Sequence, residues 1–140
     1  MTLTEALDAL LKAGRIRAAW LPGMLLVRRH HNPVEMIHVI QLHCGRPTVW
    51  ATRDVESVDW ALCTERDDGW PEDVEPSLLS VATVGCLAEI AREVTGDPGG
   101  YAAPVEDAGH WEAYAGLHAG LAATEGEAWA AVIIAAAEAR

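Results

Sequence analysis

Residues 2–29, TLTEALDALLKAGRIRAAWLPGMLLVRR, contain helix signals that are followed directly by strand signals. Thr2 and Glu5 have the spacing of a capping box, in which each side chain bonds the backbone N–H of the other residue. Leucine and alanine then recur at helical intervals until Gly14, which can end a helix. This pattern predicts a helix over residues 3–13.

Strand signals fill the rest of the first half of the chain. RIRAAW and MLLVRR flank the turn residues Pro22 and Gly23, which predicts two strands joined by a short hairpin. VEMIHVIQLH (34–43) is β-branched and mostly apolar, as buried strands are. TVWA and WALCTE predict two more short strands, with room for one helical turn in RDVESVDW between them. Residues 1–64 are therefore predicted to form one helix and a small antiparallel sheet.

The segment that follows is acidic and poor in apolar residues. ERDDGWPEDVEP (65–76) holds six acids, two prolines and one glycine in twelve residues. Such a composition buries little surface, so residues 65–77 are predicted to be an acidic surface linker.

The remaining residues, 78–140, show helix signals at both ends. Ser80 can cap a helix that runs to about Thr95, and Thr124 with Glu127 forms a second capping box before the last helix. Between the helices, YAAPVE and HWEAYAG predict a hairpin. The whole chain is therefore predicted to be α+β, with an acidic helix–hairpin–helix (αββα) module after the linker.

The last helix, AWAAVIIAAAEAR, is apolar almost all round. Alanine allows such a helix to lie closely against a small sheet, and we favour this interpretation. The alternative is an apolar face left over for a partner, as in a homo-oligomer.

Charge is distributed unevenly along the chain, whose formal net charge is −11. Residues 1–66 hold eight basic and seven acidic residues, whereas residues 67–140 hold two basic and fourteen acidic residues. Because an acidic surface repels phosphate backbones, we expect no binding to polymeric nucleic acid. No apolar run reaches the roughly 18 residues of a membrane helix, so a cytoplasmic protein without membrane contact is predicted.

Candidate catalytic and metal-binding groups do not form recognisable patterns. His38 and His43 differ by an odd number of positions, so they are expected on opposite faces of a strand and cannot bind one metal ion together. Cys44 and His43 are adjacent, so they too are expected on opposite faces and do not suit a nucleophile–base pair. No hydrolase, zinc-protease or nucleotide-phosphate motif occurs. The sequence therefore predicts a protein that is not an enzyme and holds no metal and no cofactor.

Tryptophan is the unusual residue, with six copies in a chain that has no phenylalanine. Three of them, Trp20, Trp50 and Trp60, are interleaved with arginines in the first half. Indole rings stack on nucleobases with about 1 to 3 kcal/mol per base, and guanidinium groups hold phosphates. The combination suits a compact nucleotide ligand. The alternative is that each tryptophan replaces phenylalanine in the core, and both hypotheses, ligand contact and core packing, stay open.

Two stretches, EALDALLKAGRIRAAWLPGMLLV (5–27) and WATRDVESVDWALC (50–63), resemble the second type of Thoeris anti-defence protein. This is a family of small phage proteins that act as sponges for a nucleotide signal. The resemblance covers about residues 3–64, and residues 78–139 resemble tails of uncharacterised phage and high-GC bacterial proteins. The matching positions in this sequence are Glu5, Ala6, Leu7, Leu10, Gly14, Arg17, Trp20, Gly23, Met24, Trp50, Thr52, Asp54, Asp59 and Trp60.

The resemblance implies a small α+β fold that assembles into a homo-oligomer, a tetramer, in the host cytoplasm. Pockets between protomers would sequester a cyclic ADP-ribose-type or cyclic nucleotide signal, such as glycocyclic ADP-ribose, without cleaving it. Tryptophan would stack the base, arginine would neutralise phosphate, and the aspartates would accept hydrogen bonds from ribose hydroxyls; for Asp54, an N-cap is an equally good reading. The candidate ligand-binding residues are Arg15, Arg17, Trp20, Met24, Trp50, Thr52, Arg53, Asp54, Asp59 and Trp60.

A different class of function also fits the sequence. The acidic second half could imitate the charge of nucleic acid and occupy a basic groove on a host defence protein. Acidic surface more often serves solubility, so this protein-interaction inhibitor is the alternative hypothesis.

Overall fold

The structure is a computed structural model that describes residues 1–19, 21–28, 35–43, 46–52, 61–63, 74–106 and 108–139. Within these residues, the helices are α1 (Leu3–Lys12), α2 (Val81–Thr95) and α3 (Glu125–Glu138). The strands are β1 (Leu25–Arg28), β2 (Glu35–His43), β3 (Arg46–Thr52), β4 (Ala61–Cys63), β5 (Val74–Pro76), β6 (Tyr101–Val105), β7 (His110–Ala115) and β8 (His118–Ala122).

The described strands form two antiparallel sheets, which confirms the α+β class. One sheet has five strands in the order β4-β3-β2-β1-β5, and the other has three in the order β6-β7-β8. The strands predicted around residues 24–29, 34–43, 48–51 and 60–65 correspond to β1, β2, β3 and β4. The helical turn predicted in RDVESVDW lies outside the described residues.

Helix α1 begins and ends as its sequence predicts. Thr2 accepts a hydrogen bond from the Glu5 backbone, and Glu5 accepts one from the Thr2 backbone, so the capping box is complete. After the helix, Gly14 adopts a φ of 69°, the left-handed conformation that glycine takes without strain. The apolar face of α1, which includes Leu7 and Leu10, is buried.

The strand predicted for RIRAAW is wrong. Residues 15–17 form bends instead of a strand, and Ile16 and Ala19 are buried in the core. Strand β1 has no free side for a hairpin partner, because β2 pairs with one of its edges and β5 with the other. Arg15 and Arg17 instead contact the C-terminal ends of α3 and α2.

The last residues of the predicted acidic linker belong to the five-stranded sheet. Val74–Pro76 is strand β5, which pairs with β1, and Pro76 is buried. An edge strand tolerates proline because one side of its backbone needs no partner. Residues 65–73 of the predicted linker lie outside the described residues.

The second half contains one more strand than predicted. Its elements run α2, β6, β7, β8 and α3, so the hairpin of the expected αββα module is a three-stranded sheet. The missed strand, HAGLA, is rich in alanine and glycine, which have low β-propensity. Tertiary packing explains why this segment is nevertheless a strand. Gly120 is buried so close to α3 that a Cβ at its position would overlap the carbonyl oxygen of Ala128.

Both helices of this half begin where the sequence predicts, at Ser80 and Thr124. The Thr124 hydroxyl accepts a hydrogen bond from the Glu127 backbone, whereas Ser80 occupies its N-cap position without a side-chain hydrogen bond. Helix α2 ends at Gly96, which is left-handed at a φ of 68°.

Helix α3 is the central element, which accounts for its nearly uniform apolar surface. It packs against the three-stranded sheet, α2 and α1. One core cluster therefore contains Leu7 and Leu10 of α1 together with Trp129 and Ile133 of α3. The structure shows the favoured interpretation, in which the alanines of α3 pack closely against the three-stranded sheet. The domain boundaries and the homo-oligomer stay predictions. Among the described helices, none is long and apolar enough to cross a membrane.

Candidate functional site

The five-stranded sheet has a core face and an open face. Leu26 of β1 and Val39 of β2 are buried in the core cluster. Met36 and His38, which alternate with the core positions of β2, are exposed. Because successive residues of a strand point to opposite faces, the side of the sheet that carries Met36 and His38 faces away from the core.

The register of the sheet assigns two predicted ligand positions to this open face. Trp50 pairs with His38 on one side and with Leu62 on the other, and Thr52 pairs with Met36. Residues directly opposite each other in antiparallel strands share a face. Trp50, Thr52, Met36, His38 and Leu62 therefore occupy one face, which we call the open face.

An aromatic residue on an open sheet face is a common way to bind bases. RNA-binding sheets, for example, stack bases on aromatic side chains of their strands. Thr52 lies two residues from Trp50 in β3 and therefore belongs to the same face of the sheet by strand alternation.

The two described arginines among the predicted ligands make contacts within the protein. Nη1 of Arg15 donates to the carbonyl oxygen of Ala136 at 2.8 Å. The backbone N–H and the Nε of Arg17 both donate to Oε1 of Glu93, at 3.0 and 3.3 Å. The Arg17 side chain is nevertheless 89% exposed. These contacts place Arg15 at the C-terminal end of α3 and Arg17 at that of α2.

Met24 is a core residue, away from the open face. It is fully buried, and its sulfur accepts a hydrogen bond from the Leu21 backbone at 3.1 Å. The remaining candidates, Trp20, Arg53, Asp54, Asp59 and Trp60, lie outside the described residues. For them the choice between a ligand contact and a structural role stays a prediction.

Among the described titratable groups, Cys86 has a thiol that is poorly suited to nucleophilic chemistry. It is buried in α2 and donates to the carbonyl oxygen of Pro22 at 3.6 Å. Burial raises the pKa of the Cys86 thiol, and the negative charge of Glu89 raises it further. The thiol is therefore protonated at neutral pH.

A second open surface, which the sequence analysis did not single out, lies on the three-stranded sheet. Tyr101 of β6 and Tyr114 of β7 are register partners, and their ring centroids are 5.5 Å apart with a tilt of 35° between the planes. The Tyr114 hydroxyl donates to Oε2 of Glu112. The alternation in HWEAYA could have predicted this surface, since it assigns Glu112 and Tyr114 to the face opposite Ala113 and Ala115.

No protein-family model, characterised protein or solved structure matches this chain. The function must therefore be inferred from the residues and their geometry. The resemblance to the Thoeris anti-defence family stays a prediction.

Proposed function

We propose that this protein is a binding protein that sequesters a cyclic ADP-ribose-type or cyclic nucleotide signal and releases it chemically unchanged. The observation that carries the proposal is the register of β3, which assigns Trp50 and Thr52 to the open face beside the exposed His38 and Met36. Neither position belongs to the face that packs on the core.

Stacking would supply most of the affinity in this proposal. A base on Trp50 contributes about 1 to 3 kcal/mol, and the exposed Met36 adds an adaptable apolar contact beside it. The Thr52 hydroxyl both donates and accepts hydrogen bonds, so it fits a ribose hydroxyl or a base edge. These contacts bind a nucleotide and do not activate water or a nucleophile.

Phosphate would be held by guanidinium groups. Arg53 is a candidate for this contact from the sequence and lies outside the described residues. Arg17 uses its Nε for Glu93, and its largely exposed side chain supports a second role for its Nη groups. A guanidinium binds phosphate through two parallel N–H donors, which lysine cannot do. Asp54 and Asp59 would accept hydrogen bonds from ribose hydroxyls, and pockets between copies of the chain would complete the site.

Isothermal calorimetry with glycocyclic ADP-ribose and with a panel of cyclic dinucleotides tests the proposal. We expect saturable heat with at least one of them, loss of that heat in Trp50→Ala, and partial recovery in Trp50→Phe, which keeps an aromatic ring. Tyr101→Ala removes an exposed ring from the other sheet and is the matched control, which should bind normally.

Chemical recovery of the ligand separates a sponge from an enzyme. The complex is denatured after overnight incubation, and the released ligand is identified by its mass. An unchanged mass supports sequestration. A hydrolysed ligand contradicts it, as does the absence of heat with every nucleotide at tens of micromolar.

A further inference from the structure

The outer side of the three-stranded sheet is an exposed surface that combines aromatic, aliphatic and acidic side chains. Tyr101 pairs with Tyr114 in one row, and Glu112 pairs with Leu121 in the next. We call these four residues the tyrosine face. Tyr101 is 57% exposed and Leu121 is 62% exposed, so nothing in the described part of the chain covers them.

The helices occupy only the other side of this sheet. Ala113, Ala115 and Gly120 alternate with the tyrosine face along β7 and β8, and all three are buried. Leu117, in the turn between these strands, is fully exposed. Exposed aromatic and aliphatic side chains on one face of a sheet are typical of an interaction site.

The ring geometry determines which chemical group fits the two tyrosines. Cation cages hold an ammonium group between aromatic rings, each within about 6 Å of the cation, so the rings stand well apart. The centroids of Tyr101 and Tyr114 are only 5.5 Å apart, which leaves no space for a group between them. The pair is therefore a platform, and a flat group can stack on its outer surface. The guanidinium group of arginine is planar and stacks on aromatic rings in this way.

Charge favours the same partner. Glu112 accepts the Tyr114 hydroxyl through Oε2, which fixes the carboxylate beside the platform. A carboxylate has about four acceptor sites, so it can also receive N–H groups from a guanidinium. Residues 67–140 hold fourteen acidic and two basic residues. One of these bases, Arg92, lies over the Trp129 ring and donates to the carbonyl oxygen of Gly100.

We infer that the tyrosine face docks a basic segment of another protein that presents an arginine flanked by aliphatic side chains. The arginine stacks on the tyrosine platform and pairs with Glu112, while the aliphatic neighbours cover Leu121 and Leu117. The negative field of the second half attracts such a segment and disfavours acidic ones. This surface lies on a different sheet from Trp50, so the inference does not depend on the proposed nucleotide site.

Fluorescence anisotropy with a labelled seven-residue peptide that alternates arginine and leucine tests the inference on the full chain. We expect binding that weakens about tenfold when citrulline replaces arginine, since citrulline keeps the shape and loses the charge. Lysine in place of arginine should weaken binding less, because the charge is kept and the planar stacking is lost.

Variants locate the binding surface. Tyr114→Ala, Glu112→Gln and Leu121→Ala should each weaken binding at least severalfold. Leu79→Ala is the matched control for Leu121→Ala, because Leu79 is also an exposed leucine, at 82%, and lies before α2. It should bind the peptide normally. Tyr114, Leu121 and Leu79 are exposed and Glu112 is half-buried, so the variants should keep the circular dichroism spectrum of the parent protein.

Three results would overturn the inference. Equal binding of the arginine and citrulline peptides would exclude recognition of the guanidinium. Equal loss in Leu79→Ala and Leu121→Ala would place the peptide elsewhere. Sedimentation that shows self-association abolished by Tyr114→Ala would make a second copy of the chain the occupant of the face.

Discussion

The guanidinium of Arg15 donates a hydrogen bond to the backbone carbonyl of Ala136, which lies 121 residues later in the chain. Ala136 is in the last turn of α3, where carbonyl groups have no partner within the helix and the helix dipole is negative. That last turn contains no basic residue of its own. Arg15 therefore brings a positive charge from the first half of the chain to the last turn of α3.

Replacing Arg15 tests this contact. Arg15→Ala should lower the free energy of unfolding by about 1 kcal/mol, through the lost hydrogen bond and the lost charge at the helix end. Lys12→Ala is the control, because Lys12 pairs with Asp8 one turn earlier on the surface and its loss should cost at most about 0.5 kcal/mol. Urea unfolding measures both. Equal losses would mean that the contact with Ala136 contributes nothing specific.

A shared core predicts one cooperative unfolding transition. Leu7 of α1 and Ile133 of α3 are fully buried members of the same cluster. Leu7→Ala and Ile133→Ala should each cost about 2 to 5 kcal/mol and shift the same calorimetric peak. Two peaks, of which Leu7→Ala moves only one, would show instead that the two halves of the chain unfold independently.

Two glycines should respond to alanine in opposite directions. A Cβ at Gly120 would overlap the Ala128 carbonyl, so Gly120→Ala must push β8 and α3 apart and should cost about 1 to 3 kcal/mol or more. Gly85 lies in α2 with nothing within 4 Å of the added carbon. Gly85→Ala should therefore raise stability by about 0.5 to 1 kcal/mol. Thermal unfolding compares the stability of the two variants with that of the parent protein. A stabilising effect of Gly120→Ala would contradict the close packing of β8 against α3.

The tyrosine pair predicts a pH dependence. The hydrogen bond to Glu112 raises the pKa of the Tyr114 phenol, and partial burial and the negative charge of Glu112 raise it further. The folded protein thus favours the protonated phenol. The stability from this preference is present below the ordinary tyrosine pKa of about 10 and is lost as pH rises through the higher folded pKa.

Ultraviolet titration measures that shift directly. In a Tyr101→Phe background, Tyr114 is the one remaining tyrosine, since the chain has two. We expect it to ionise above the ordinary value, and Glu112→Gln should lower its pKa toward that value. An unchanged titration in Glu112→Gln would exclude the hydrogen bond as the cause.

Cys86 should be a slow thiol. Its sulfur is buried against Pro22, and burial and Glu89 keep its pKa high, so little thiolate is present near pH 8. In a Cys44→Ser, Cys63→Ser background, alkylation by iodoacetamide should be at least about tenfold slower than that of free cysteine. Urea should restore the ordinary rate. Fast alkylation of the folded protein would show that the thiol is accessible.

Local signals predicted most of the described elements. The capping box at Thr2 and Glu5, the left-handed Gly96 and the alternation along β7 each depend on residues a few positions apart, so the sequence contains the whole cause. Trp50 and Thr52 could likewise be predicted to share a strand face. The sequence could not predict whether that face is open, because this depends on which side of the five-stranded sheet α1 and α2 cover.

The elements that local signals missed depend on distant partners. RIRAAW has a strand-like composition, yet both edges of β1 are taken by β2 and β5. HAGLA has a poor strand composition, yet β8 forms because Gly120 allows α3 to approach its backbone.

Short-range chemistry thus fixes where helices and strands begin and end, because caps, turns and periodicity act within a few residues. Tertiary packing fixes what each element touches, because its contacts join residues far apart in sequence, as Arg15 and Ala136 are. The apolar surface of α3 illustrates both kinds of cause. The composition of the helix requires burial, whereas the assembled fold brings α1, α2 and the three-stranded sheet against it.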